Sequence, residues 1–342
     1  MSVVDTHRVF RVTTASRIAS VLGLLILLAL AVAPWWMGRA DLRLLGEIYL
    51  YLSLAMLWNL LAGYAGLVSV GQQAYVGLGG YVLFALTIFG GLHPFAAIGL
   101  SVVVGALVSV PVAALIFRLR GAYFAIGTWV IAEVFRLGFA QVSALGGGSG
   151  TSLPVDVVRS LADGRDAREA ASYWLTLGCA TAVMAIAYLF LRSRNGLALT
   201  AIRDNELAAS SLGIDIWRSK FVVYVVVGGL STLVGSLIFL QKLRISPDAA
   251  FSVNDWTAYV IFIVVIGGIG SLEGPIIGTV AFFLLRETLA DLGSIYLIVL
   301  GAIAIAVMLV APKGLCGLVQ DLTGLRLFPL GYRVKPKRSS KE

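Results

Sequence analysis

From Ile48 to Phe117 the chain runs for 70 residues without one Asp, Glu, Lys or Arg. A soluble domain, about a quarter of it charged, has no place for such a run. At about 20 residues per helical crossing of a bilayer, it accounts for three passes. The composition as a whole agrees. The chain is 59% hydrophobic and 13% charged over 342 residues, with mean hydropathy +0.94. This is an integral membrane protein, and one polytopic domain is its simplest organisation. The net charge of +8 would hint at nucleic acid in a soluble protein. Here the positive-inside rule accounts for it, and no nucleic-acid partner is expected.

Charge then orders the passes. A basic tail, residues 1–17 with Arg8, Arg11 and Arg17, precedes the uncharged stretch 18–38. Ala31-Val32-Ala33 resembles a signal-peptidase site, but the run is longer than a signal core, and Pro34-Trp35-Trp36 continues it into an aromatic belt. A retained first span is expected. Further spans are placed near 46–62, 67–90, 95–117, 121–142, 170–191, 221–241, 256–267, 275–290 and 293–311. The total is ten, with the transmembrane domain at 18–312 and a basic tail at 313–342. Both tails are placed in the cytoplasm. The segments assigned inside hold 17 Lys and Arg, and those assigned outside hold 7. Arg39 and Arg43 are the boundary that runs against the rule. Pro111 is expected to kink its span.

The longest polar segment between two apolar ones is Arg192–Lys220, RSRNGLALTAIRDNELAASSLGIDIWRSK. Its basic ends put it in the cytoplasm, and it reads as folded. Asn195-Gly196 is a break, and Leu197 to Ile202 a short helix. Asp204 or Asn205 caps a second helix with Glu206 in its first turn, and Gly213 stops it. Two small helices on the cytosolic side suit a docking surface. The alternative is a structured connector.

Two regions mirror each other. Residues 46–90 and 256–290 each read as helix, glycine-rich break, helix. The first break carries Gly63 and Gly66, followed by Gln72, Gln73 and Gly77; the second carries Gly270, Gly274 and Gly278. Broken helices survive in a bilayer only where protein buries them or a cavity solvates them. They often mark a transport path. Close helix packing through small residues is the competing reading, for which Gly270, Gly274 and Gly278 at four-residue spacing would form one face.

Other chemistries are excluded by what is missing. GGGSGT (146–151) lacks the Lys of a phosphate-binding loop, so the chain should not itself hydrolyse ATP. No His/Cys cluster points to a metal or other cofactor, and there is no G-x-S-x-G elbow. Glu133 and Arg136, three residues apart in a span, read as a structural pair. Arg286 and Glu287 are the other ionisable residues in a span. Any energy source would then be another protein.

Together these motifs resemble the M-type membrane permease subunit of branched-chain amino-acid ABC importers, in the wider group that includes urea and amide importers. The likeness covers roughly residues 45–312. It rests on NLLAGYAGLVSVGQQAYVGLGGYV (59–82), GAYFAIGTWVIAEVFR (121–136), SRNGLALTAIRDNELAASSLGID (193–215), SPDAAFSVNDW (246–256) and GGIGSLEGPIIGT (267–279). The external GGGSGT stands where a TGGS-type loop is more usual. The resemblance implies an all-α polytopic fold that is not an enzyme. It also implies a homologous second permease, two cytosolic ATP-binding subunits and an extracytoplasmic solute-binding protein. Glu206, Ala208, Ala209 and Gly213 look like the EAA-type loop that engages ATPase subunits, with Gly196, Ala201 and Arg203 in the same segment. On this reading Arg203 and Glu206 face one way, towards the partner. A urea or short-amide importer and a self-contained secondary carrier are the alternatives.

Overall fold

The computed structural model describes residues 7–10, 14–162, 164–289, 293, 295–311, 313–323 and 333–336. Much of the expected N-terminal tail (1–6 and 11–13) and the final KRSSKE lie outside them. Helix α1 (Thr14–Ala31) leads to α2 (Arg39–Asn59), which a π-helical turn at Leu60–Tyr64 extends. Then come α3 (Gln72–Ile88), α4 (Pro94–Ile116) and α5 (Ala122–Ala140). A short α6 (Val155–Arg159) precedes α7 (Arg165–Arg192). The polar segment forms α8 (Arg194–Asp204) and α9 (Glu206–Ser211), and α10 (Ile216–Lys242) leaves it. After α11 (Pro247–Ala250) and a π-helical turn at Asn254–Ala258 come α12 (Tyr259–Gly267), α13 (Glu273–Thr288), α14 (Ile295–Val310) and α15 (Gly314–Thr323).

The fold is all-α and polytopic, as the uncharged runs require. Among the described residues six helices are long and apolar enough to cross a membrane: Arg39–Tyr64, Pro94–Ile116, Ala122–Ala140, Arg165–Arg192, Ile216–Lys242 and Pro247–Gly267. A seventh arises if Ile295–Val310 and Gly314–Leu322, bent by 41°, form one span. Helices α3 and α13 occupy expected spans but are 17 and 16 residues long. They are short because each begins only after its glycine break. Pro111 lies within α4, which continues through it.

Among the described residues four short strands form two antiparallel pairs: β1 (His7–Phe10), β2 (Thr151–Ser152), β3 (Arg244–Ile245) and β4 (Arg333–Pro336), with β1 on β4 and β2 on β3. The basic C-terminal segment contributes α15 and a strand. That strand sets it beside the N-terminal segment.

The core is built on α10, which packs along α3 and α4, while α2 packs along α7. Between helices in lipid there is little hydrophobic drive, so close approach through small residues has to supply the contact. A Cβ at Gly79 would overlap the carbonyl of Thr232, and one at Gly235 would overlap that of Val76. Ser231, Thr232 and Ser236 on the same stretch of α10 are fully buried. Two of the three hydroxyls are spent locally: Thr232 Oγ1 donates to Gly228 O at 2.8 Å and Ser236 Oγ to Leu233 O at 2.7 Å.

At the end of the fold opposite α8 and α9, the two basic residues that ran against the charge rule find acids. Arg39 pairs with Asp166 at 2.6 Å, and Arg43 with Glu169. Exposed pairs of this kind add little stability, but they neutralise the two charges where they sit. Glu133 and Arg136 do pair, at 2.6 Å, and Arg136 also reaches Asp248 of α11 at 2.7 Å. The pair therefore ties α5 to α11. Arg286 pairs with Glu47 of α2 at 2.6 Å.

The three-glycine face is corrected. Gly270 precedes α13 and sits in the turn at φ +78°. Only Gly274 and Gly278 lie on the helix, and both face α12. Added Cβ atoms would overlap the carbonyls of Gly268 and Ile263 respectively. Close packing holds these two positions. Overfilling a packed site costs about 1–3 kcal/mol, and here the obstacle is backbone. Gly278→Leu should therefore lower the unfolding temperature of the purified protein by several degrees. Gly99→Leu, where nothing lies within 4 Å of an added Cβ, should leave it unchanged. Equal melting of both variants would remove the packing argument.

Candidate functional site at the polar loop and the glycine turns

The polar loop is folded by its own caps. Ser193 ends α7, and its hydroxyl accepts from Gly196 N at 3.4 Å. The chain break thus falls at Ser193, and Asn195-Gly196 lies inside α8. Gly196 is small for packing: an added Cβ would stand 2.6 Å from the carbonyl carbon of Leu191. Leu199 and Ile202 are buried on the inner side of α8, with Ala201 half-buried. Asn205 is extended, at φ −159° and ψ 108°, and its Oδ1 accepts from Ala208 N at 3.0 Å. It is the cap of α9, as its residue type favours. Gly213, at φ +81°, ends α9. Its N–H donates to Ser210 O at 2.9 Å, and that of Ile214 to Ala209 O at 3.1 Å. That is the double closure that favours glycine at this position. Asp215 then caps α10, accepting from Arg218 N at 3.0 Å.

The two small alanines part company. Ala209 is 1% exposed and packs inward, while Ala208 faces out. Beside Ala208 stand Leu207 and Leu212, 81% and 79% exposed. Leu207 lies on α9 and Leu212 is its C-cap residue. Arg203 and Glu206 do not share a direction, because extended Asn205 separates their helices. Glu206 pairs with Lys220 of α10 at 3.0 Å. Arg203 turns into the fold.

That inward turn joins the loop to both glycine breaks. Arg203 Nη1 donates to Gly63 O at 3.0 Å, while Nη2 holds Asp204 at 3.1 Å. Gly63 in turn touches the second break: a Cβ there would lie 2.6 Å from Gly270 N. Asn59 clasps the two. Its Nδ2 donates to Ser271 O at 2.8 Å, and its Oδ1 accepts from Gly270 N at 2.8 Å. Ser271 Oγ accepts from Gly274 N at 3.0 Å at the start of α13. The mirrored breaks, far apart in sequence, are one structural unit with the loop attached. A cavity of about 610 Å³ adjoins it, lined among others by Gly66, Val68, Leu119, Glu206, Trp217 and Lys220. Gly66 enters the turn at φ +68°.

Gln72, Gln73 and Gly77 lie apart from this unit. Gln72 Nε2 donates to Leu54 O at 3.0 Å, and Gln73 Oε1 accepts from the Thr257 hydroxyl. Both amides are buried in protein. Gly77 makes room for the ring of Phe251. Two features of the unit escape a reading by pattern. Asn59 is the single Asn in the uncharged run and stands one helical turn before Gly63; that isolation is the signal that could have found it. Leu207 and Leu212 are apolar residues in a polar segment, and only the fold shows that both stay exposed.

A hydrogen bond from a charged group contributes roughly 1.5–3 kcal/mol, less where water competes. Arg203→Ala should therefore speed amide hydrogen exchange across residues 63–71 by about tenfold, the equivalent of about 1.4 kcal/mol. Exchange in α4 should not change. Unaltered exchange in the turn would show that the contact does not hold it.

Comparison with known proteins agrees with this architecture. Residues 41–311 match the family model described as the permease component of branched-chain amino acid transport systems. The chain is 26% identical over 325 residues to the high-affinity branched-chain amino acid transport system permease protein LivM of Salmonella typhimurium, and 27% identical over 327 residues to that of Escherichia coli. Each alignment covers 88% of this chain and 76% of the relative. No solved structure matches significantly. With most of its length, both glycine breaks and the whole polar loop inside the matched region, the chain belongs to the permease component family of branched-chain amino acid transport systems.

Proposed function

We propose that this chain is one of two permease subunits of an ATP-driven importer and forms half of the path for a branched-chain amino acid or a similar small solute. The observation that carries the reading is the two-sided build of the polar loop. Its outer face offers Leu207, Ala208 and Leu212, and its inner face is bonded through Arg203 to the first helix break, which Asn59 joins to the second. A segment that only connected α7 to α10 would need neither side. In this reading the outer face enters a groove on a cytosolic ATPase. The unit behind it carries the resulting displacement to the broken helices. The permease performs no covalent chemistry. ATP is hydrolysed in the partner subunits, and an extracytoplasmic binding protein delivers the solute. Ten spans, with both tails and the loop in the cytoplasm, complete the proposal. The family relation of the LivM proteins and the 17-to-7 distribution of basic residues support it.

The geometry separates docking from folding. Leu207→Glu and Leu212→Glu place charge on the exposed face and should leave insertion intact, since surface changes alter stability by about 0.5 kcal/mol or less. Recovery of ATPase with the affinity-purified permease should fall by about tenfold, as for loss of a central apolar anchor of a contact. Ala209→Trp, at a buried position, should instead reduce the yield of folded protein. Vesicles holding the complete system should take up leucine, with urea and acetamide as the competing solutes. Full ATPase recovery in both leucine variants would reject the docking role. Uptake of urea or acetamide in place of leucine would reject the solute.

A further inference from the structure

At the end of the fold opposite the polar loop lies a larger cavity, about 940 Å³. Helix α10 connects the two regions: 27 residues at 1.5 Å each put Lys242 about 40 Å from Ile216. The cavity is walled by helix ends, from α2, α7, α10, α13 and the turn before α12. Its charges fall into three groups, one of which is Arg165 and Arg168 in the first turn of α7. Arg43 with Glu169 and Glu47 with Arg286 are paired with each other. Lys242 and Asp255 also line the cavity, and among the described residues neither has an ion-pair partner within 4.0 Å. They share one electrostatic neighbourhood, for the charges of Asp255, Glu47 and Arg286 all reach the Lys242 ammonium. Lys242 lies over the Trp256 ring, 4.6 Å from its centroid. Between and around these charges stand aromatic faces: Tyr51 stacks on Trp256 at 6.0 Å, with Tyr259 6.5 Å from Tyr51.

Two opposite charges, left unpaired by each other and set around an aromatic wall, complement a ligand that carries both signs and an apolar body. We propose that this cavity is a transient binding site for a free α-amino acid with an aliphatic side chain. Lys242 takes the carboxylate and Asp255 the ammonium, while the side chain lies on Tyr51, Trp256 and Tyr259. The inference rests on the permease reading and adds to it a holding site within this subunit. A cavity this large leaves room for water beside one amino acid, so binding is weak. Weak binding suits a path, because a solute held tightly at an intermediate site would not leave it.

The test uses the full-length chain with its co-purifying subunits, in nanodiscs, without nucleotide or binding protein. Equilibrium binding of radiolabelled leucine is measured for the unaltered protein, Lys242→Gln and Asp255→Asn. Competition by isoamylamine, which lacks the carboxylate, and by 4-methylpentanoate, which lacks the ammonium, is measured in each. Leucine should bind saturably, and each substitution should weaken it about tenfold or more, as expected for loss of a charge-assisted hydrogen bond. Lys242→Gln should leave isoamylamine binding unchanged, and Asp255→Asn should leave that of 4-methylpentanoate unchanged. General damage to the fold would not split the analogues in this way. Leucine uptake by the complete system with no leucine binding here, or binding indifferent to both substitutions, would overturn the site and leave the permease reading standing. Failure of the complete system to import any amino acid would overturn both.

Discussion

A helix interrupted inside a bilayer leaves amide and carbonyl groups with no water to satisfy them. This chain interrupts two, between Tyr64 and Gln72 and between Gly267 and Glu273. The structure answers by bringing the breaks together. One side chain, Asn59, supplies an acceptor to Gly270 N and a donor to Ser271 O. Arg203 supplies a donor to Gly63 O. Each group so satisfied is part of a break, and each partner comes from a different segment of the chain. The cost of breaking two helices is thereby turned into a joint between the α2–α3 unit, the α12–α13 unit and the polar loop.

The glycines make the joint possible but do not all serve it. Gly63 lets the second break come within contact of the first. Gly274 and Gly278 instead let α13 lie on the backbone of α12. Gly66 and Gly270 supply left-handed turns. A sequence reading sees these as one class, because composition alone does not distinguish a close approach from a positive φ. By the same limit, four-residue spacing puts Gly270 on a helix face, whereas it lies in the turn before α13.

What was legible follows from what is local. Uncharged runs, basic flanks and the Asn205 and Gly213 caps depend on neighbours within a few residues, and the two caps stand at the ends of α9 as expected. The spans came out shorter where a break intervened, because α3 and α13 start only once the turn has closed. Direction was less legible. Ala208 and Ala209 are adjacent and alike, yet one is exposed and the other buried. Arg203 and Glu206 stand three apart, but the helix between them ends at Asn205. Whether a side chain faces out or in was decided by contacts with Gly63 and Lys220, which are remote in the sequence or cross to another element. The acids opposite Arg39 and Arg43 were hidden in the same way, more than a hundred residues away.

Helix α10 ties these local and remote features into one mechanical arrangement. Its first turns hold Lys220, paired with Glu206 of the loop, and its last residue is Lys242 in the larger cavity. Between them it is seated on α3 and α4 by glycine contacts that leave no room for a methyl group. Closely packed interiors resist gradual deformation, so elements joined this way move together or repack in steps. The polar loop touches this body at Lys220 and touches the helix breaks at Arg203. A displacement of the loop therefore bears on two structures at once: a long, tightly seated helix and a joint made of hydrogen bonds across glycine turns. The joint's bonds are few and lie beside a cavity, whereas the helix is held by close backbone contacts.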